Sequence, residues 1–318
     1  MKVLVTGGAG YIGSVLVPEL LGAGHRVRVL DALAHGGASL LGAWSHPGFD
    51  FVRGDVRAAD ARARALEGIE AVVHLAAIVG DPACARDPDL ARSVNLDASL
   101  ALIDDANAAG VGRFLFASTC SNYGRMPDPA GYVSEESPLA PVSLYAETKV
   151  GVERALLDRA PRRRMAVTAL RFATVFGVSP RMRFDLTVNE FTLVMVRDGR
   201  LQVFGEQFWR PYVHVRDVAR AVRLVLDAPA AAVDGEVFNV GSTEQNYQKQ
   251  QIVELIRPHA PDAAVDYVRR DEDPRDYRVS FAKISDRLGF RASRSVPDGI
   301  AEVARLVESG IALEPVPA

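Results

Sequence analysis

Cysteine is nearly absent: Cys84 and Cys120 are the only two in 318 residues. Two cannot build a disulfide framework, and no other Cys or His spacing resembles a zinc site. Lysine is almost as scarce, with Lys2, Lys149, Lys249 and Lys283 set against thirty-three arginines. There is no basic face of the kind that binds nucleic acid; Arg162-Arg163-Arg164 is short and reads as the solvated end of a helix. No apolar run reaches the roughly 18 residues of a membrane span. The chain enters an apolar strand directly after Met1-Lys2, without signal-peptide architecture, so a cytoplasmic protein is expected. Gly/Ser/Pro linkers and internal repeats are missing too. What remains is 48% hydrophobic and 24% charged with a net charge of −3, the composition of an ordinary globular protein able to bury a large core.

The first half alternates β-branched apolar runs with helical patterns. The runs fall at residues 3–6, 27–31, 49–54, 71–75, 114–118 and 166–171. Helical patterns include 11–21, 90–109 and 144–159. Continuously apolar strands alternating with helices predict an α/β fold, a doubly wound parallel sheet of Rossmann type covered on both faces. After about Phe172 the rhythm changes. A loop rich in Pro, Arg and Met (179–184) precedes a helix near 187–197, strands near 201–204 and 212–215, and a helix over 217–226. A strand near 237–240 and helices near 248–256 and 298–307 complete the chain. The expected division is a dinucleotide-binding domain at 1–172 and about 212–241. A smaller, discontinuous substrate-binding region takes about 173–211 and 242–318.

Gly8-Ala-Gly10-Tyr-Ile-Gly13 follows the first strand and opens the first helix. There, glycines permit a tight turn and close backbone approach, and the helix N-terminus faces a pyrophosphate. With Gly7 the spacing also fits Gly-x-x-Gly-x-x-Gly. Asp31 ends the second strand, where an acid bonds the adenosine ribose hydroxyls; no Arg follows it closely, which favours NAD over NADP. Tyr145 and Lys149 stand at i and i+4 of a predicted helix, on one face. By itself this is an ordinary helix surface. Beside a cofactor site it becomes a phenol whose pKa an ammonium lowers toward use as a base.

Taken together, these motifs resemble the extended short-chain dehydrogenase/reductases, in their nucleotide-sugar epimerase/dehydratase branch. The resemblance runs through 6–13, Gly54-Asp55-Val56, Val73-His-Leu-Ala-Ala77, Val94-Asn95, 118–124, 145–149, 170–177, 210–217 and Asn239-Val-Gly241. It implies cofactor contacts from Gly7, Gly10, Tyr11, Ile12, Gly13, Asp31, Asp55, Val56, Leu75, Ala76, Ala77, Asn95, Tyr145 and Lys149. It also implies a catalytic set of Thr119, Tyr145 and Lys149, with Lys149 on the nicotinamide ribose and Thr119 relaying a proton between substrate and Tyr145. Thr119 and Tyr145 would touch substrate, as would Arg210 on the sugar-nucleotide diphosphate, and Asn189, Arg270 and Asp273 on the nucleotide side. Arg270 reads equally well as surface charge. Thr174 occupies a position where the family often has a phosphate-contacting Asn.

One departure narrows the chemistry. Dehydratases of this branch carry an Asp-Glu pair after the catalytic Thr, to move protons during loss of water. This chain has Cys120-Ser121, and neither replaces those acids; Cys120 reads as a small buried filler. The resemblance therefore implies an NAD-dependent epimerase of a UDP- or dTDP-linked sugar, acting at C4 through a 4-keto intermediate. A keto-sugar reductase or dehydrogenase on the same fold is the alternative, with a 4,6-dehydratase or a non-catalytic NAD-binding protein further behind. A homodimer through the helices at 90–109 and 144–159 is also implied.

Overall fold

The chain's first strand lies inside the main sheet, with a parallel neighbour on each side. The computed structural model describes residues 1–126, 128, 131–158, 164–270 and 275–311. The chain opens with β1 (Lys2–Thr6), α1 (Gly13–Gly22), β2 (Arg26–Asp31), β3 (Phe49–Arg53), α2 (Ala59–Leu66) and β4 (Ala71–His74). Next come α3 (Asp81–Arg86), α4 (Pro88–Arg92), α5 (Ala98–Ala108), β5 (Arg113–Thr119), α6 (Leu144–Asp158), β6 (Ala166–Phe172) and β7 (Thr174–Phe176). The remainder is α7 (Thr187–Leu193), β8 (Arg200–Phe204), β9 (Trp209–His214), α8 (Val215–Asp227), α9 (Ala230–Val233) and β10 (Glu236–Val240). It ends with β11 (Asn246–Gln248), α10 (Lys249–Ile256), β12 (Ala264–Val268), α11 (Ala282–Leu288) and α12 (Val296–Ser309).

Seven strands form one sheet in the order β10-β6-β5-β4-β1-β2-β3, every pair parallel. Such a sheet needs cover on both faces, and β1 shows how the sequence supplies it. Val3 and Val5 pack into one apolar layer with Leu16 and Leu20 of α1 and Val218 and Val222 of α8. Leu4 packs into the other, with Leu102 of α5, Phe114 and Phe116 of β5, and Val152 and Leu156 of α6. The expected doubly wound α/β fold is the one observed. Among the described residues no helix is long and apolar enough to cross a membrane.

Differences from the sequence reading lie where long-range contacts override local pattern. The helix expected over 90–109 is broken into α4, a π-helical turn at Ser93–Asp97, and α5. Asn95 in that turn causes no apolar signal, yet its amide accepts from Ile78 N at 2.8 Å and donates to Ile78 O at 2.9 Å. The wider turn is what lets a buried side chain reach the loop after β4. The strands β7, β11 and β12 went unpredicted because each is short and pairs only with distant chain. They build a three-stranded sheet, β11-β9-β7, and a two-stranded one, β12-β8. Around these, Phe176, Val188, Tyr212, Ile252, Ile256 and Ile300 form a separate apolar cluster. Thus β9 belongs to the smaller sheet, and the chain returns to the large one with α8 and β10. Arg162 and Arg163 lie outside the described residues.

Candidate active site

Strand order reverses between β1 and β4, so the crevice beyond their C-terminal ends is where such a sheet takes a ligand. The glycine turn fills this position for steric reasons that can be read atom by atom. Gly7 has φ +72°, and a Cβ there would lie 2.8 Å from Ala76 N. A Cβ on Gly13 would lie 2.3 Å from Gly7 O, so α1 sits directly on the turn. Gly7 N donates to Leu30 O at 2.9 Å and Gly10 N to Gly7 O at 3.1 Å, closing the loop. The N–H groups of Tyr11 and Ile12, just ahead of α1, have no acceptor among the described residues. Backbone donors aimed outward from a helix start fit a pyrophosphate. Asp31 is fixed at the end of β2 by Ala9 N at 2.9 Å and Leu33 N at 2.8 Å.

Asp55 and Val56 follow β3; the Asp55 carboxyl is held below its usual range by hydrogen bonds from Arg57. Leu75, Ala76 and Ala77 follow β4, with Leu75 N on Thr6 O at 3.1 Å. His74 beneath them is a satisfied core histidine. Its ring bonds Thr6 Oγ1 at 2.6 Å and Ser99 Oγ at 2.8 Å, and burial pulls its pKa down to about 3, so it stays neutral. Asn95 locks Ile78 from both sides, as above, and so shapes this loop. These groups, on the C-terminal edge of β1 to β4, form a cradle into which an extended dinucleotide fits.

On the other wall, Tyr145, Lys149 and Glu153 follow one another at i, i+4 and i+8 of α6, along one face. Lys149 Nζ donates to Ala117 O at 2.9 Å and lies 4.8 Å from the Phe116 ring and 5.8 Å from the Tyr145 ring. Thr119 ends β5, and its Oγ1 accepts from Ser121 N at 3.1 Å, which leaves its O–H for another partner. The structure thus brings Thr119, Tyr145 and Lys149 to one place, the end of β5 and the start of α6.

The electrostatics differ from the sequence expectation. Burial, not Lys149, governs Tyr145, pushing its phenol up; Arg183 is the largest charge opposing that rise. The reason is that Lys149 is itself buried, 3% exposed, and desolvation pulls its pKa down from 10.5 to about 8. Below pH 8 the folded protein holds a cation that it disfavours, and the penalty fades as pH rises from about 8 to 10.5. That fall corresponds to roughly 3 kcal/mol. Lys149→Met is therefore expected to melt higher than the parent at pH 7 when both are free of nucleotide, with the gap narrowing above pH 9. Thermal denaturation across pH checks it, and a variant that melts lower at pH 7 contradicts the account.

The substrate-side expectations fare unevenly. Arg210 on β9 is buried, donates to Trp209 O at 2.7 Å and to Arg275 O, and lies 5.7 Å from the Tyr277 ring. Thr174 starts β7, in register with Tyr212 of β9. Asn189 needs correction as a substrate contact: its side chain is fully buried and both amide N–H bonds are used, on Tyr11 Oη at 3.1 Å and Arg183 O at 2.9 Å. Its Oδ1 takes Gly177 N at 2.9 Å. Tyr11 likewise turns its phenol inward, donating to Gly177 O at 2.6 Å, so only its backbone faces the cradle. Arg270 does not join the group; it is exposed and stacks 5.0 Å from the Phe204 ring. Asp273 lies outside the described residues.

Two residues escaped the sequence reading. Tyr277 is buried and close enough to act electrostatically on Tyr145. Its own phenol is pushed up to about 12 by burial, against Arg210 and a hydrogen bond with Ser121. Asp81, at the start of α3, also acts on Tyr145 and pairs with Arg275 at 2.8 Å. No local pattern marks either one, because each reaches the site from a distant segment. Cys120 turns away: its thiol donates to Arg171 O at 3.3 Å, and burial raises its pKa far beyond use.

A Rossmann-type sheet, a glycine cradle at its switch point and a Tyr-Lys-Thr group opposite define a dinucleotide-dependent enzyme of the hydride-transfer kind. The particular family follows from comparison. The family model described as "NAD dependent epimerase/dehydratase family" matches residues 3–241, and the chain belongs to that family of nucleotide-sugar enzymes. It is 31% identical to a UDP-glucose 4-epimerase of Corynebacterium glutamicum, over 91% of this chain and 90% of that protein. It is 33% identical to a dTDP-glucose 4,6-dehydratase of Actinoplanes sp., over 95% and 96%. The crystal structure of Thermus thermophilus UDP-glucose 4-epimerase with NAD superposes with a TM-score of 0.85 at 28% identity, covering 98% of this chain and all of that one. The cofactor is NAD.

Proposed function

We propose that the enzyme epimerises a nucleotide-diphosphate sugar, UDP- or dTDP-linked, at C4 through a transient 4-keto sugar. Relatives of both reaction types match about equally well, so overall identity does not choose between them. The observation that supports epimerisation is local: beside Thr119 stand a thiol turned into the core and a hydroxyl engaged by Tyr277. Elimination of water needs a proton donor and acceptor there, and neither group serves.

Bound NAD would supply a reversible hydride acceptor, so no outside reductant would be consumed. Tyr145 takes the proton of the sugar hydroxyl and later gives it back. Thr119, with its free O–H, holds the same oxygen and passes the proton. Lys149 keeps a positive charge beside the phenol, which favours phenolate as it forms. Arg210 would grip the sugar-nucleotide diphosphate with its guanidinium. Residues 173–211 and 242–318 would carry most of this substrate side.

Incubation with a panel of UDP- and dTDP-hexoses, without added cofactor, tests the reading. C4-epimer pairs reaching equilibrium from either side are expected. Accumulation of a 4-keto-6-deoxy sugar, or turnover only with stoichiometric NADH, would replace it with a dehydratase or a reductase.

A further inference from the structure

Arg210 owes its place to a segment that reaches it from far along the chain. Its Nη1 donates to Trp209 O at 2.7 Å and to Arg275 O, so Arg275 supplies one of the two carbonyls that fix the guanidinium. The next two residues are tied as well. Asp276 Oδ1 takes Trp209 N at 2.8 Å, Asp276 O takes Met126 N at 3.1 Å, and the Tyr277 ring lies 5.7 Å from the Arg210 guanidinium. Residues 275–277 thus set the plane in which the Arg210 fork lies.

Arg275 is in turn held by a carboxylate from the opposite wall. Its Nη1 donates to Asp81 Oδ2 at 2.8 Å. Asp81 opens α3, just after the loop that follows β4, and α3 is fastened to that loop. Cys84 Sγ donates to Ile78 O at 3.4 Å, and Ile78 is the residue that Asn95 grips from both sides. The Asp81–Arg275 pair therefore crosses from the cofactor side of the crevice to the substrate side, near enough to the reacting centre for Asp81 to act on Tyr145. The Asp81 and Arg275 side chains are 29% and 42% exposed, a setting in which an ion pair adds little to fold stability. Its effect is geometric. A carboxylate on a fixed helix keeps a long, adaptable side chain in one place, and with it the carbonyl that Arg210 uses.

We infer that Asp81 is a positioning residue for the sugar nucleotide: through Arg275 it sets the Arg210 guanidinium for the diphosphate. The inference rests on the reading of Arg210 as the diphosphate ligand, and extends that grip to a residue of the cofactor wall. A guanidinium fork matches two phosphate oxygens only in the right plane, so a small turn of Arg210 costs a bidentate contact. The Asp81 carboxylate has the wrong sign to touch phosphate, and its contribution is indirect. Two roles for Arg275 then predict opposite signs. As a splint for Arg210 it would lose its place without Asp81, and binding would weaken. As a phosphate ligand restrained by Asp81 it would be released, and binding would tighten.

Calorimetric titration of the NAD-loaded protein with UDP, dTDP, uridine and thymidine tests this. Asp81→Asn and Arg275→Gln are each expected to weaken the preferred nucleoside diphosphate by about 3- to 5-fold, the range of a partly exposed ion pair. Nucleoside affinity, NAD content and melting temperature should stay at the parent values. The two changes combined should cost no more than either alone, because they break one pair. The reversed pair Asp81→Lys/Arg275→Glu should recover most of the loss. Arg210→Met is the reference, expected to cost about 10- to 100-fold. If Arg210→Met weakens the diphosphate and Asp81→Asn does not, the inference fails while the reading of Arg210 stands; if neither does, both fail. Tighter binding by Asp81→Asn overturns the inference by making Arg275 a phosphate ligand. So does a loss that the nucleoside shares in equal measure, which would mark general damage to the site.

Discussion

Replacing Tyr145 by Phe is expected to lower kcat by roughly 1,000-fold while NAD stays bound. The substitution removes one oxygen and keeps the ring, so the contact with Lys149 at 5.8 Å and the packing of α6 persist. General acid–base groups contribute about 10²–10⁴ in rate, and a phenol placed on the reacting hydroxyl belongs in that range. The glycine turn and Asp31 lie at the ends of β1 and β2, on elements other than α6, and the substitution leaves them unchanged. Burial holds the phenol protonated in the protein alone, and Arg183 is the largest charge that opposes it. Epimer interconversion measures the rate, and absorbance of nucleotide released on denaturation measures cofactor content. Activity within tenfold of the parent would remove Tyr145 from the proton transfer.

Glu153→Ala is expected to destabilise the fold by about 3–5 kcal/mol, the range for breaking a buried ion pair from one side. Glu153 shares the Tyr145–Lys149 face of α6 and is 2% exposed. Its carboxylate takes both Nη2 and Nε of Arg171 on β6, and Ser118 Oγ at 2.8 Å. Ser118 immediately precedes Thr119, so one carboxylate ties the helix that carries Tyr145 and Lys149 to the strand that ends in Thr119. Removing it strands Arg171, 4% exposed, with the Tyr123 hydroxyl at 2.9 Å as its remaining side-chain partner. The double variant Glu153→Leu/Arg171→Met should regain most of the stability, because no buried charge is left alone. It should not regain the rate, since the tie to Ser118 is gone. Denaturant unfolding and turnover of the three variants check this; equal loss in the single and double variants would mean that packing, not charge, holds these elements together.

The sheet was legible because it rests on local signals. Each apolar run is set by its own residues, and the order strand, glycine turn, helix is contiguous in the chain. Residues 90–109 show the limit: apolar periodicity predicted one helix, but Asn95 is worth more bonded to Ile78 than inside a regular turn. The short strands β7, β11 and β12 gain their hydrogen bonds only from segments far away in sequence. The candidate site divides in the same way. Gly7, Gly13, Asp31, Thr119 and Tyr145 stand at or beside element ends, with Lys149 one helical turn further along α6, where spacing carries meaning. Arg270 and Asn189 had the right residue type, yet one stacks on Phe204 and the other spends its amide inside the protein.

By itself, then, the sequence determined the doubly wound sheet, the glycine cradle with Asp31, and the i, i+4 pairing of Tyr145 with Lys149, since backbone geometry repeats over a few residues and needs no distant partner. Tertiary structure alone decided that Asn189 spends its amide inside the protein and that Tyr277 and Asp81 act on the Tyr145 phenol. It also decided the charge state of the central pair. A pKa follows burial, and burial is set by every segment that closes over a residue, wherever in the chain that segment lies.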